Sequence, residues 1–151
     1  MKPKGVNRVV FAVKDFDKAV ALYSELFNTE FHVGDVTASA AWGIKVAVSW
    51  DAEIEIVSPL PDTEAAMGQS VAQFVEKNGG GVYSVVFSVD NVEEAYDRAT
   101  QMGIRVPGSF EMDGEQLAQY LDGKFTKFKQ YSLKSDDTCG VQLVLGQIEA
   151  R

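Results

Sequence analysis

Two stretches of the chain are near copies, GVNRVVFAV at Gly5–Val13 and GVYSVVFSV at Gly81–Val89, yet one shared place holds Arg8 in the first and Ser84 in the second. Side chains alternate across a strand, so Arg8, Val10 and Ala12 share a face, and Ser84, Val86 and Ser88 share the corresponding one. By the same alternation Glu53, Glu55 and Val57 fall together, as do Gln142 and Val144. Arg8, Glu55, Ser84 and Gln142 then stand as a few polar groups on apolar surfaces, which is the composition of a ligand pocket. Arg8 is a permanent cation whose forked donors suit a carboxylate, a phosphate or an enolate oxygen; the plainer alternative is an ion pair with Glu55 that serves the fold. Glu55 has the chemistry of a general base, although a carboxylate held by arginine is a weak one. Ser84 has no His or Lys beside it in sequence to activate it, and reads as a hydrogen-bonding or space-filling group. His32, the single histidine, is either a partly exposed strand residue or a pocket residue. Trp42, Trp50, Tyr83, Phe128 and Tyr131 offer aromatic walls for a planar ligand, or else core. The candidate catalytic pair is therefore Glu55 and Arg8, and the candidate substrate contacts are Arg8, Ser84, Gln142, His32 and Tyr131.

These groups need strands to hold them, and the pattern supplies strands. After each copy comes an Asp or Asn suited to start a helix, followed by apolar residues at three- and four-residue spacing. These are Phe16, Val20, Tyr23 and Phe27 in the first half, and Val92, Ala95, Tyr96 and Ala99 in the second. Further strand-like runs cover 30–36, 44–50 and 53–57, then 104–106, 125–133 and 141–145. The arrangement reads as two βαβββ modules, approximately 5–60 and 81–147, in a single domain over 1–151. A linker helix at 70–78 joins them, with Val71, Phe74 and Val75 as its apolar face and glycines to stop it. Residues 113–124 read as an insertion in the second module with a short helix. Gly79–Gly81 precedes no helix, so it reads as a turn rather than a phosphate loop.

Composition narrows the partners. The 151 residues are 46% hydrophobic and 24% charged, as in a globular domain, and the net charge of -8 repels nucleic-acid backbones. No apolar run approaches the roughly 20 residues of a membrane span, and the N-terminus lacks a signal-peptide core. Cys139 is the single cysteine and has no partner within the chain, which favours the cytoplasm as compartment; no local histidine activates it.

The stretches RVVFAVKDFDKA and FVEKNGGGVYSVVFSVDNVEEA resemble the vicinal oxygen chelate superfamily of glyoxalases, bleomycin-resistance proteins and extradiol dioxygenases, and within it the methylmalonyl-CoA epimerase-like branch. The resemblance implies an α+β fold of paired βαβββ modules forming a curved, half-open, barrel-like sheet, and a homodimer covering its edges. It also implies a divalent metal held by four side chains, two from each module. Those seats fall on Arg8, Glu55, Ser84 and Val144. Arginine and valine cannot ligate, so the expectation is no metal and no cofactor.

Three functions remain open on these grounds. One is a metal-independent enzyme acting on a small organic acid or acyl thioester by proton transfer or lyase chemistry. Another is a non-catalytic protein that binds an aromatic small molecule, as resistance proteins do. The third is a metal-dependent glyoxalase- or dioxygenase-type enzyme with non-standard ligands. In each the partner is a small molecule, with no nucleic acid and no membrane.

Overall fold

The computed structural model describes residues 1–121 and 123–151. In chain order the elements are β1 (Pro3–Ala12), α1 (Phe16–Phe27), β2 (His32–Val33), α2 (Val36–Trp42), β3 (Ile44–Ser49), β4 (Ile54–Pro59), α3 (Ala66–Asn78), β5 (Gly81–Val89), α4 (Val92–Gln101), β6 (Gly108–Met112), α5 (Gly114–Tyr120), β7 (Phe125–Ser132), a 3-10 turn (Ser135–Asp137) and β8 (Leu143–Ala150). The fold is α+β. It divides into two compact units, Arg8–Tyr83, and Ser84–Arg151 together with Met1–Asn7. Each follows strand, helix, strand, strand, strand, with a short extra helix after its second strand.

In the unit Arg8–Tyr83 the strands run in the order β2-β3-β4-β1. β1 is parallel to β4, and β3 is antiparallel to β4 and β2. Asp15 starts α1 by accepting the Lys18 N–H at 3.1 Å, and Asn28 ends it in a left-handed turn. α1 covers one face of the sheet: Phe16 and Ala19 pack on Ala47, Ile54 and Ile56, with Phe11, Tyr23 and Phe31 around them. Ala47 and Ile56 are fully buried. Since strand neighbours alternate, Arg8, Val10, Ala12, Glu55 and Val57 face away from α1, as the sequence pattern requires.

Three expectations are corrected here. The run 30–36 forms only the two-residue β2. Asp35 accepts the Thr37 N–H at 2.8 Å and the chain turns into α2, which ends at Trp42. Gly34 approaches β3 so closely that a Cβ would stand 2.5 Å from Val46 Cγ1, and its N–H donates to Val46 O at 2.7 Å. Glu53 lies outside β4 with φ 57°, so it does not continue the alternation of Glu55 and Val57. The linker helix α3 begins at Ala66, four residues before the expected 70, and ends at Gly79, whose N–H donates to Val75 O.

In the other unit the order is β5-β8-β7-β6. Asn91 starts α4 by accepting the Glu94 N–H at 3.1 Å, and Val92 and Ala95 pack with Val89 beneath Tyr131 and Leu145. The expected strand at 104–106 is absent. Arg105 spends its backbone elsewhere, its N–H on Asp137 Oδ2 and its C=O on Lys134 N–H, both at 2.9 Å, and Pro107 has no donor; the strand instead begins at Gly108. The inserted segment carries α5, opened by a capping box between Asp113 and Gln116; Asp122 lies outside the described residues. Residues 1–7 belong with this unit: the Lys2 N–H donates to Asp90 Oδ1 at 2.6 Å and the terminal ammonium bonds Glu94 at 2.7 Å.

Two outcomes are expected from these contacts. A Cβ on Gly68 would lie 2.3 Å from Gly43 O, so Gly68→Ala should destabilise by about 1–3 kcal/mol in urea titrations. Gly114→Ala, with open space around it, should be neutral or stabilising by up to about 1 kcal/mol. Arg105 grips Asp137 through Nε and Nη2, both at 2.9 Å, and its guanidinium holds the Asp137 carboxyl down at about 2. A depressed carboxyl stabilises above its unfolded value and loses that contribution as pH falls through the folded one. Acid-induced loss of stability between about pH 4 and pH 2 should therefore shrink in Asp137→Asn, measured by thermal melts across that range.

Candidate functional site

On the sheet face opposite α1, the Arg8 side chain is only 3% exposed and its Nε donates to Glu55 Oε1 at 3.1 Å. Glu55 is 17% exposed, so the pair is enclosed on the arginine side and reachable on the carboxylate side. The register explains the meeting: Val10 pairs with Glu55, and Arg8 is one pleat earlier on the same face. Trp50, immediately after β3, lies with its ring centroid 5.7 Å from Arg8 Cζ, within cation–π range. A buried guanidinium needs such partners, because an isolated charge removed from water costs several kcal/mol. What this arrangement offers chemically is a fixed cation for an anionic atom beside a carboxylate able to exchange a proton.

His32 pairs with Val48, and Val48 with Glu55, so all three side chains stand on one face. Sequence spacing could not reveal that row, since the pairing of β2 with β3 is long-range. The neighbour Phe31 gives the one sequence-level signal, a hydrophobic residue that takes the core side and turns His32 the other way. A cavity of about 370 Å³ does open in this unit, but it lies elsewhere, by Lys14, Phe16, Lys45 and Ser58 at the start of α1. Ser58 has the parity of Ile54 and Ile56, the α1 side, so this cavity is not the setting of Glu55.

In the other unit Ser84 is buried, two residues before Val86 and on the same strand face; Val86 pairs with Val144. Gln142 lies just before β8, with its C=O accepting the Val85 N–H at 3.1 Å. Tyr131 takes the opposite side. It sits under α4, its ring 4.7 Å from that of Tyr96, and its hydroxyl donates to Glu93 Oε2 at 3.0 Å. Desolvation first, and the Glu93 carboxylate second, push the Tyr131 hydroxyl up. Lys129 bonds Glu93, lies 3.6 Å from Glu111 and 5.4 Å from the Tyr131 ring. The bond from Glu93 raises the Lys129 ammonium, while the one from Lys129 lowers the Glu93 carboxyl. This Lys129–Glu93–Tyr131 cluster was not visible in the sequence, and it turns Tyr131 from the expected ligand wall into packing beneath a helix.

The four seats that the resemblance assigns to a divalent ion can be tested on these contacts. Arg8 and Glu55 bond each other, Ser84 offers a neutral hydroxyl, and Val144 offers hydrocarbon. No group of three His, Cys, Asp or Glu among the described residues is placed to hold an ion. This donor set does not fit the family's metal.

Residues 7–118 match the family model of the Glyoxalase/Bleomycin resistance protein/Dioxygenase superfamily. Over 109 residues, 70% of this chain and 76% of the relative, the sequence is 32% identical to the ethylmalonyl-CoA/methylmalonyl-CoA epimerase of Cereibacter sphaeroides. In fold it is similar to methylmalonyl-CoA epimerase from Mycobacterium tuberculosis, with a TM-score of 0.71 at 20% identity, covering 96% of this chain and 88% of that one. It is likewise similar to a Streptomyces coelicolor methylmalonyl-CoA epimerase variant in complex with 2-nitronate-propionyl-CoA, with a TM-score of 0.72 at 18% identity, covering 97% and 98%. The chain belongs to the Glyoxalase/Bleomycin resistance protein/Dioxygenase superfamily, on its epimerase-like side.

Proposed function

We propose that this protein is an enzyme acting on a coenzyme A thioester, moving a proton at the carbon beside the thioester carbonyl, and that it does so without a divalent metal. The observation that carries the reading is the buried Arg8 cation bonded to the accessible Glu55, in a chain with 32% identity to an acyl-CoA epimerase. Removing a proton next to a carbonyl places negative charge on the carbonyl oxygen. A pre-positioned donor aimed at that oxygen lowers the barrier, and donors of this kind are worth about 10²–10³ in rate. Arg8 is a permanent cation held in place by Glu55 and Trp50, which suits it to stabilise charge that develops on that oxygen. Glu55 removes the proton. Val10, Val48 and Val57 share its face, and an apolar surround strengthens the attraction of Arg8 for the developing charge.

Methylmalonyl-CoA in D2O, followed by mass spectrometry at the carbon between the two carbonyl groups, tests the reading. The parent should incorporate deuterium and invert configuration, and both should survive prior chelation. Arg8→Met should lower exchange by about 10²–10³, and Glu55→Gln should lower inversion by about 10²–10⁴. Saturable binding with exchange no faster than without protein would make this a binding protein instead. Activity lost to chelator and restored by Co²⁺ or Mn²⁺ would return the metal.

The pair also has a stability signature. Arg8→Met strands a carboxylate beside hydrocarbon and should cost on the order of 3–5 kcal/mol. The double change Arg8→Met with Glu55→Gln should cost less than Arg8→Met alone, read from denaturant titrations of the four proteins. Strict additivity of the two single effects would mean that they do not interact.

A further inference from the structure

Building on the proton-transfer reading, we infer that His32 is the second acid–base group of that reaction, serving the face of the carbon opposite Glu55. Inversion requires the proton to leave one face and a proton to arrive on the other. A single base returns it to the side from which it came.

β2 is two residues long, yet the direction of His32 is set by two independent observations. His32 pairs with Val48 and Val33 with Ala47, while Val48 pairs in turn with Glu55 and Ala47 with Ile56. Directly paired residues of antiparallel strands carry their side chains on one face, so His32, Val48 and Glu55 form a row, continued by Val10. Separately, Phe31 packs into the α1-side cluster with Ala47 and Ile56, so the next residue points the opposite way. Strands lie roughly 4.8 Å apart, which puts the His32 and Glu55 backbones on the order of 10 Å apart across Val48. Both side chains rise from the same surface with Val48 between them, so an imidazole and a carboxylate stand to either side of it.

Among the described residues paired on this face, no other suits the task. The rest are aliphatic or proline apart from Arg8, which keeps its proton. His32 is exposed, and among the described residues its ring makes no hydrogen bond or ion pair that would commit it. An exposed imidazole can exchange its ring proton with water. In the forward direction Glu55 takes the proton and the C–H electron pair moves into the enolate, whose oxygen Arg8 holds. The imidazolium of His32 then gives its N–H proton to the opposite face as the new C–H bond forms. Neutral His32 and protonated Glu55 remain, and water restores each. The reverse reaction exchanges the two roles.

The test presents each epimer of methylmalonyl-CoA separately, in D2O, to the parent, His32→Gln and Glu55→Gln, reading deuterium uptake and configuration together. His32→Gln should still label the epimer whose proton faces Glu55, with configuration retained, while inversion falls by about 10² or more. Glu55→Gln should show the mirror result, labelling only the other epimer. Inversion by His32→Gln within about threefold of an active parent overturns the role of His32 and leaves the proton-transfer reading standing. Equal loss of labelling from both epimers in His32→Gln also overturns it, since that pattern belongs to binding. A parent that labels neither epimer overturns both inferences.

Discussion

In each unit a helix covers one face of a four-strand set, and strand alternation leaves every second residue on the uncovered side. That constraint assigns nearly everything else. Phe11, Ile54 and Ile56 go under α1, so Arg8, Val10 and Glu55 cannot. Val89, Leu145 and Tyr131 go under α4, so Ser84, Val86 and Val144 take the other face. The duplicated strand preserves this division in both copies, because a helix that must bury its apolar stripe demands the same alternating partner twice. The polar content of the uncovered faces is under no such demand, and there the two copies differ most: an arginine in one, a serine in the other.

The same division separates two kinds of ion pair. Lys129 and Glu93 meet where Glu93 is half exposed, and water screens what they gain from each other. Arg8 is enclosed, so its charge must be answered locally, and Glu55 and Trp50 answer it. A buried cation is an expensive way to stabilise a sheet when a hydrocarbon side chain of similar volume would pack there. Its place beside an accessible carboxylate is why the proposed function is set on the Arg8 face, whereas the cavity at the start of α1 has space without a comparable pair.

Much of the fold was legible in the sequence. The repeated strands, the capped helices α1 and α4, and the face on which Arg8, Glu55 and Val57 stand all follow from local rules, namely alternation, helical spacing and Asp or Asn caps. The failures share a cause. Residues 30–36 and 104–106 have strand composition, but Asp35 starts a helix and Asp137 takes the Arg105 N–H, so the local preference loses to a specific hydrogen bond. The site divides in the same way. Which residues could carry charge or a proton was fixed by their types and parity. That Arg8 meets Glu55 47 positions away, that His32 joins their row through Val48, and that Tyr131 turns under α4 toward Glu93 were decided by strand register and helix docking. Those are contacts between residues distant in sequence, and no local pattern encodes which strand will lie beside which.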